Sequence, residues 1–301
     1  LYFLCADKII TSSAGEYSVN PFEVNKKYFV DKMNFKHIFL QHGITEHNLS
    51  AFLNKYNKNI HFLVAGTQFE YNAFCEKEYY YDKDVVNLTG FARYDKLVNN
   101  KERLIVIMPT WRRSIKPSYD SHTQSIYFDG FKDTEYFKFY NRLINDERLL
   151  ALMREKGYKG LFCTHPIHEK QWVDYTANDV FKINEGFVNY SDVFSRGALL
   201  ITDYSSVAFD FAYLRKPVVY TQFDLTDFYN GQIYDKGYFS YAGDGFGPVA
   251  YDYESSVNAI IDIIRNDCSL NDLYLKRIDN TFAFNDTNNC ERIYNGILRM
   301  K

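Results

Sequence analysis

The sequence predicts an α/β protein with two domains, each built on a parallel sheet. Short apolar runs rich in β-branched and aromatic residues alternate with amphipathic helical patterns along most of the chain, which is typical of parallel sheets covered by helices. The 301 residues, of which 46% are hydrophobic, can bury two medium-sized cores. The polar segment 97–103 lies between two strand-like runs and is the best candidate for a domain boundary.

Eight segments have the length and composition of buried strands. Each is short and largely apolar, and several end in a polar residue or glycine. The predicted strands cover 8–12, 37–41, 61–66, 85–90, 104–109, 160–165, 198–203 and 217–221.

Amphipathic segments between and after the strands predict the helices. Thr67 and Glu70 have the spacing of a capping box, so we expect a helix from there to about Glu78. The segment 133–158 has a continuous helical pattern and predicts one long helix, whereas 112–133 is predicted to be a long loop. Further helices are expected at 254–266, 271–280 and 289–300.

Charge, cysteine content and hydropathy exclude several classes of protein. A net charge of −3 provides no basic field, so we expect no nucleic-acid partner. The five cysteines form no Cys-x-x-Cys pair and no Cys/His cluster, which predicts reduced thiols in the cytoplasm. No apolar run approaches the ~18 residues of a membrane span, and no signal peptide is recognised. Because Leu1 already lies in structured-looking sequence, we expect a longer protein upstream.

A polar corner follows the predicted strand 198–203. Asp203 ends the strand, Ser205 and Ser206 stand where the next helix begins, and Asp210 lies about one turn into that helix. Ligands of open α/β sheets bind beyond the carboxyl ends of strands, where a helix start presents unpaired N–H groups. The serines could therefore bind a phosphate and Asp210 a ribose. The alternative is that Asp203 or Ser205 only caps the helix.

Three other strand ends carry imidazole or guanidinium groups. His42 lies on the tight turn of "QHGIT" and suits a general base. Arg112 and Arg113 follow "IMPTW" and match phosphate oxygens, and His165 in "THP" suits a donor to a pyrophosphate oxygen. The alternatives are structural histidines and a solvated basic loop. The absence of GxGxxG, GKS/T and GxSxG motifs weakens nicotinamide, ATP-hydrolysing and serine-esterase interpretations.

Several short motifs follow one another along the chain, namely "QHGIT", "GFARYDKL", "MPTWR", "THP", "TDYSS" with "FD" and "KP", and "DLTDFY". Together they resemble the CDP-glycerol glycerophosphotransferase family, whose members polymerise or prime teichoic acids and related capsule polymers in bacteria. The likeness runs in order from about residue 8 to 230. It implies a GT-B architecture, with two Rossmann-type domains facing a central cleft and a truncated N-terminal domain. An acceptor-side domain would span 1–98, a donor-binding domain 103–285, and the helix in 286–301 would cross back.

The resemblance also implies roles for the strand-end residues. His42 would deprotonate the acceptor hydroxyl, and His165 would stabilise charge on the donor pyrophosphate. Cys163 departs from the family pattern, in which a basic residue often stands two places before the second histidine. The residues expected to bind the donor are Arg112, Arg113, Asp203, Ser205, Ser206 and Asp210, the last of these through the ribose.

The implied reaction transfers glycerol phosphate or ribitol phosphate from a CDP-activated donor to a hydroxyl of a teichoic-acid-like or capsular polymer and releases CMP. Two alternatives stay open. One is a GT-B glycosyltransferase or epimerase that uses a UDP-sugar, and the other is a non-catalytic module of an envelope assembly complex. The donor would be CDP-glycerol or CDP-ribitol, and the acceptor would be a lipid-linked polyol phosphate or glycan. The protein would act at the cytoplasmic face of the cell membrane and contact the membrane peripherally.

No obligatory cofactor and no protein-bound metal are expected, because the sequence has no evident carboxylate cluster, and a role for Mg²⁺ stays open. The sequence does not distinguish primase from polymerase activity. It also leaves the oligomeric state open.

Overall fold

The computed structural model describes residues 2–14, 34–76, 78–115, 118–120, 125–231 and 235–300. The chain divides into two compact units. The first unit comprises Leu1–Lys96, Lys236–Phe239 and Asp279–Lys301, and the second comprises Leu97–Asp235 and Ser240–Ile278. The C-terminal segment therefore belongs to the first unit. The assignment of an acceptor side and a donor side to the two parts of the chain stays a prediction.

The first unit is built on a four-stranded parallel sheet in the order β1-β2-β3-β4. These strands are β1 (Lys8–Thr11), β2 (Lys36–Phe39), β3 (Ile60–Ala65) and β4 (Val86–Leu88). Its α-helices include α1 (Tyr2–Cys5), α2 (Ser50–Leu53), α3 (Lys55–Lys58) and α4 (Gln68–Phe74), and a 3₁₀ helix spans Ala92–Lys96.

The core of the first unit forms around β3. Leu63, Val64 and Ala65 are completely buried because both faces of this central strand are covered, as expected for a parallel sheet. Phe74 at the end of α4 and Tyr81 beyond it pack into the same core. The apolar run of the strand therefore shows no inside–outside alternation, as predicted for its sequence.

The second unit contains a six-stranded, all-parallel sheet in the order β12-β11-β10-β5-β8-β9. Antiparallel strands β6 and β7 form a separate pair. The strands are β5 (Leu104–Ile107), β6 (Ser118–Asp120), β7 (Ser125–Tyr127), β8 (Lys159–Phe162), β9 (Phe181–Ile183), β10 (Gly197–Thr202), β11 (Val218–Thr221) and β12 (Val249–Ala250).

Helices cover this second sheet, and two further helices close the chain. Helices α5 and α11 pack with β5 and β10 in one large apolar core. The α-helices are α5 (Glu135–Ile144), α6 (Glu147–Lys156), α7 (Tyr190–Arg196), α8 (Val207–Tyr213), α9 (Leu225–Gly231), α10 (Tyr241–Asp244), α11 (Tyr253–Arg265), α12 (Asp272–Thr281) and α13 (Asn289–Arg299), and 3₁₀ helices span Phe131–Asp133 and Pro166–Asp174.

All eight predicted strands are present, with ends within three residues of the prediction. The prediction of one long helix over 133–158 is wrong, because the segment forms two helices. The side chain of Asp146 accepts the N–H groups of Arg148 and Leu149 and so begins a new helix after Asn145. The prediction also missed β9, β12 and the strand pair inside the supposed loop 112–133, all of which are too short to leave a pattern.

The predicted "GFARYDKL" segment has a structural role in the first unit. Gly90 has a φ of +73°, and a Cβ there would lie 2.0 Å from Oδ1 of Asn289. Asp95 accepts the backbone N–H groups of Asn289 and Cys290 at 2.9 and 2.7 Å. Burial opposes ionisation of Asp95, but these donors lower its pKa below the usual value. The motif thereby attaches the start of α13 to the rest of the unit.

Candidate active site

In the first unit, the loop that carries His42 begins with an unusual backbone conformation. Strand β2 ends at Phe39, and Gln41 has a φ of +60°, a value that non-glycine residues rarely adopt. His42 follows and is exposed to solvent. The sharp change of direction at Gln41 ends the predicted strand early and turns the next residues out of the sheet.

The hydrogen bond of His42 defines which of its nitrogens can act as a base. Nδ1 lies 3.1 Å from the carbonyl oxygen of Ser12. A carbonyl oxygen can only accept, so Nδ1 carries the proton in this contact and the neutral ring keeps its lone pair on Nε2. Because the side chain is exposed, Nε2 has the form that a general base requires.

A buried carboxylate lies beneath this loop. Glu70, which is fully buried, accepts hydrogen bonds from the backbone N–H of Thr45 at 2.7 Å, from the backbone N–H of Gly66 at 2.6 Å and from Nε2 of Gln41 at 3.1 Å. Burial raises the pKa of Glu70 to about 7, although the three donors favour the ionised form. The sequence placed Glu70 in a capping box and assigned it no role in the site.

The capping box is only half formed. Oγ1 of Thr67 accepts the N–H of Glu70 at 3.1 Å, as predicted. The carboxylate of Glu70, however, bonds to Gly66 and Thr45 rather than to the N–H of the capping residue. One side chain therefore contributes to the start of α4 through its backbone and to the His42 loop through its carboxylate.

In the second unit, four neighbouring strands end at the same edge of the sheet. Strands β11, β10, β5 and β8 are adjacent and parallel, so the loops that follow them emerge side by side. These loops carry Asp224, Asp203, Arg112 and His165, respectively. The ring centroids of Trp111 and His165 lie 6.5 Å apart, which brings the loops after β5 and β8 close together.

Arg112 is buried at the centre of these loops, with 4% of its surface exposed. Its Nε donates to Asp224 at 2.6 Å, Nη2 donates to Asp203 at 2.7 Å, and Nη1 donates to the carbonyl of Thr110 at 2.7 Å. The guanidinium group also lies against aromatic rings that surround it at centroid distances of 5.0 to 5.2 Å, those of Tyr136, Tyr204 and Phe228. Arg112 thus joins three strand-end loops, and its contact with a donor phosphate stays a prediction.

Asp203 is completely buried and fully engaged with the protein. Besides the Arg112 ion pair, it accepts the N–H of Thr110 at 2.8 Å, the N–H of Tyr204 at 2.7 Å and the hydroxyl of Tyr140 at 3.2 Å. It does not cap the following helix, so that alternative is wrong for Asp203. The carboxylate instead fixes the loop after β5 to the end of β10.

Ser205 and Ser206 occupy the turn before α8 and are half-buried. Ser206 is the capping residue, yet its side chain makes no capping hydrogen bond, and Oγ of Ser205 accepts the N–H of Val207 only at a long 3.5 Å. Their hydroxyl groups are therefore available to a ligand. Asp210 lies within α8 and is 2% exposed, and Arg113 is exposed on the loop after β5. The predicted donor contacts of these four residues stay predictions.

His165 has the opposite hydrogen-bonding arrangement to His42. Its Nδ1 accepts the backbone N–H of Ile167 at 3.2 Å as the chain enters the 3₁₀ helix Pro166–Asp174. Nδ1 therefore holds the lone pair, and the neutral ring carries its proton on Nε2. Burial lowers the pKa of His165 to about 4, with a smaller effect from His168, so the ring is neutral at physiological pH.

Two further residues explain features of the sequence around His165. Nε2 of His168 donates to the carbonyl of Ile115 at 3.1 Å, and this buried ring attaches the loop after β5 to the 3₁₀ helix. Cys163, two places before His165, is 3% exposed, and burial raises the pKa of its thiol to about 12. Cys163 is therefore a neutral core residue.

The sequence did not assign Asp224, Glu70 or Gln41 to the site. Asp224 follows β11 as Asp203 follows β10, and this repeated position could have identified it. Within the described residues, no group of three or more His, Cys, Asp or Glu side chains is arranged to hold a metal ion. None of the helices in the described part of the chain has the length and apolarity to cross a membrane.

Comparison with known proteins identifies the family. The family model for CDP-Glycerol:Poly(glycerophosphate) glycerophosphotransferase matches residues 2–299. The chain belongs to this family. Within the glycerophosphotransferase family, it is similar to the minor teichoic acid biosynthesis protein GgaB of Bacillus subtilis strain 168, with 42% identity over 299 residues. That match covers 99% of this chain and 33% of GgaB, so the chain spans about a third of that relative.

A second relative is the teichoic acid glycerol-phosphate transferase of Staphylococcus aureus strain NCTC 8325 / PS 47, which is 22% identical over 254 residues, covering 78% of this chain and 58% of that protein. A structure of the wall teichoic acid polymerase TagF has a TM-score of 0.61 and 18% identity, covering 89% of this chain and 68% of that chain.

The crystal structure of a putative UDP-N-acetylglucosamine 2-epimerase from Listeria monocytogenes has a TM-score of 0.55 and 13% identity, covering 96% of this chain and 72% of that chain. At these identities the two structures show the fold alone. The family model confirms the predicted family, and the two structures confirm the predicted GT-B-like α/β fold.

Proposed function

We propose that this chain transfers glycerol phosphate or ribitol phosphate from a CDP-linked donor to a hydroxyl of a teichoic-acid-like polymer. Family membership supports the reaction class. The observation that carries the proposal is the pair of opposite histidine tautomers. His42 keeps a lone pair on Nε2 and can accept a proton, whereas His165 carries a proton on Nε2 and can donate a hydrogen bond.

The proposed reaction uses these two atoms in complementary ways. Nε2 of His42 takes the proton of the acceptor hydroxyl, and the oxygen attacks the phosphorus that bears the polyol. A new P–O bond forms, the bond from that phosphorus to the bridging oxygen breaks, and CMP leaves with the electron pair. A hydrogen bond from Nε2 of His165 to a pyrophosphate oxygen stabilises the charge that develops there.

Donor binding is proposed for the second unit. The hydroxyl groups of Ser205 and Ser206 and the exposed guanidinium of Arg113 would contact the pyrophosphate, and Asp210 would bind the ribose. Arg112 and Asp203 would maintain the loops that present these groups, because both are buried and paired with each other. A TagF structure from a crystal soaked with CDPG supports the choice of a CDP-linked donor for this family.

The teichoic acid in the relatives' names supports a polymeric acceptor for the proposed transfer. We propose a lipid-linked polyol-phosphate or glycan acceptor and action at the cytoplasmic face of the membrane. We propose that any Mg²⁺ that assists the reaction binds together with the donor pyrophosphate. The alternative, a UDP-sugar enzyme, shares the fold but is not favoured by the family match.

The test is an assay for CMP release. The chain is incubated with CDP-glycerol or CDP-ribitol and a polyol-phosphate oligomer, and the products are separated by chromatography. We expect release of CMP together with lengthening of the oligomer, and no release of UDP from UDP-N-acetylglucosamine under the same conditions. Absence of CMP with both CDP-polyols, or turnover of the UDP-sugar instead, would reject the proposed function.

A further inference from the structure

We propose that Glu70 is a positioning residue that holds the His42 loop in the geometry needed for proton transfer. The His42 loop is defined here as residues 41–45. The inference rests on the proposed function, because it takes His42 to be the base. It assigns a specific task to a buried carboxylate that lies outside the proposed chemistry.

The carboxylate of Glu70 contacts both ends of the His42 loop. Its Oε1 accepts Nε2 of Gln41 at 3.1 Å and the backbone N–H of Thr45 at 2.7 Å. Its Oε2 accepts the backbone N–H of Gly66 at 2.6 Å, directly after β3. A single rigidly buried group therefore fixes the residues on either side of His42 to the sheet.

The side chain of Gln41 completes this arrangement. It donates to the carbonyl of Val64 at 2.5 Å and accepts the hydroxyl of Thr45 at 2.9 Å. The positive φ of Gln41 is a strained conformation, and such a conformation persists only where surrounding contacts enforce it. The contacts from Glu70, Val64 and Thr45 supply that enforcement.

Close packing places the loop directly on the end of β3. A Cβ at Gly66 would lie 2.4 Å from Cδ1 of Ile44, in the middle of the His42 loop. A side chain at residue 66 would therefore require the end of the Ile44 side chain to move, so glycine suits the close packing of the loop on this strand.

The ionised form of Glu70 is the one that fits its neighbours. Three N–H groups point at its two oxygens, and a protonated carboxyl would turn an O–H towards one of these donors. Charged and titratable groups that interact with Glu70 among the described residues include Arg93, whose guanidinium also donates to the carbonyl of His42, and the hydroxyl groups of Tyr79 and Tyr238. Burial raises the pKa of Glu70 to about 7, whereas the three donors and the charge of Arg93 favour the ionised form.

Loop position matters because His42 has little else to orient it. The ring is exposed, and its hydrogen bond to Ser12 at 3.1 Å leaves the side chain dependent on the backbone that carries it. A displacement of about 1 Å in a reacting group can cost roughly 10²-fold in rate. Loss of the Glu70 contacts should therefore reduce catalysis without removing a reacting atom.

The first experiment compares Glu70→Gln and Glu70→Ala with Tyr81→Phe in the whole chain. Tyr81 is buried in the same unit and donates to the carbonyl of Leu53 at 2.9 Å, so its variant loses a buried hydrogen bond away from the His42 loop. We expect kcat for CMP release to fall about 10-fold in Glu70→Gln and roughly 10²-fold in Glu70→Ala, with KM for the donor within about twofold. Tyr81→Phe should retain its kcat.

The second experiment does not depend on activity. Amide hydrogen exchange at Thr45 and Gly66 should accelerate at least about tenfold in Glu70→Gln and stay unchanged in Tyr81→Phe. Unchanged exchange in Glu70→Gln, or an equal loss of kcat in Tyr81→Phe, would overturn the positioning role. If the wild-type chain releases no CMP, the proposed function fails, and the exchange rates alone then decide whether Glu70 holds the loop.

Discussion

At the scale of single residues, the two histidines of this chain differ in which nitrogen carries the proton. The carbonyl of Ser12 leaves the lone pair of His42 on Nε2, whereas the N–H of Ile167 leaves the proton of His165 on Nε2. Imidazole can take either form at neutral pH, so the neighbouring backbone group selects between them. Two histidines in different surroundings thus provide a base at one position and a hydrogen-bond donor at the other.

Replacing His42 tests the assignment of the base. His42→Ala should reduce CMP release by roughly 10² or more while leaving the melting temperature and donor affinity nearly unchanged, because an exposed general base contributes to rate rather than to folding. His61→Asn is the matched control, since Asn can preserve the acceptor that His61 offers to the N–H of His37 at 3.2 Å. Rates within about twofold of wild type would remove His42 from the mechanism.

The hydroxyl of Ser206 makes no capping hydrogen bond, so replacing this residue tests whether the hydroxyl binds the donor. Ser206→Ala should weaken the affinity for CDP-glycerol by about 1 to 3 kcal/mol in calorimetry, because it removes one hydrogen bond to a charged ligand. The exposed Ser269 provides the control, and Ser269→Ala should bind the donor normally. Equal affinities for both variants would mean that the donor does not use the turn before α8.

At the scale of elements, Arg112 connects the loops after β5, β10 and β11. Arg112→Ala should lower the free energy of unfolding by about 3 to 5 kcal/mol, because Asp203 and Asp224 would lose the charge that pairs with them in a buried site. Urea denaturation measures this change. Arg154→Ala removes an exposed pair with Asp179 and should shift the midpoint far less, since water and salt screen that interaction. Similar shifts for both variants would contradict a central role for Arg112.

The helices show where local signals compete. The apolar pattern of 133–158 continues through the break between α5 and α6, so periodicity alone predicts one helix. The side chain of Asp146 decides otherwise, because it accepts two N–H groups that would belong to a continuing helix. Asp146 also accepts the hydroxyl of Tyr253 at 2.9 Å, a contact from α11 that no local pattern contains.

At the scale of the whole molecule, stability should depend on pH through buried histidines and Glu70. Burial lowers the pKa values of His37, His165 and His168 to about 4, so the unfolded chain binds more protons than the folded chain between about pH 4 and 6.5. This stabilisation is present above pH 6.5 and is lost as the pH falls. Glu70 acts in the opposite direction, because its raised pKa of about 7 costs stability as the pH rises above about 4.5.

Thermal unfolding between pH 4 and 8 measures the balance. With three histidines against one carboxyl, we expect the melting temperature to rise from pH 4 to about 6.5. Glu70→Gln should make this rise steeper, because the opposing contribution is removed. A melting temperature that is flat over this range, or that falls as the pH rises, would contradict the expected excess of the histidine contribution over that of Glu70.

Much of the architecture could be predicted from the sequence because it depends on local patterns. Continuous apolar runs such as 198–203 identify strands that are buried on both faces, and the polar residues after them identify the carboxyl edge of a sheet. The family resemblance was available for the same reason, since its motifs are contiguous. Short strands such as β12 were not predicted, because they depend on partners elsewhere in the chain. The break at Asp146 was missed because the apolar helical pattern continues through it, although the capping side chain is a local signal.

The sequence by itself determined the fold class, eight strands of the two parallel sheets and which polar residues follow them. Only the tertiary structure decided what those residues do, because a side chain's role depends on its burial and on donors and acceptors distant in sequence. The sequence pattern predicts Arg112 as a phosphate ligand, with a solvated basic residue as the alternative, whereas the structure buries it in ion pairs with Asp203 and Asp224, some hundred residues away. The spacing places Glu70 in a capping box, yet its carboxylate accepts the N–H groups of Thr45 and Gly66 and so supports the His42 loop.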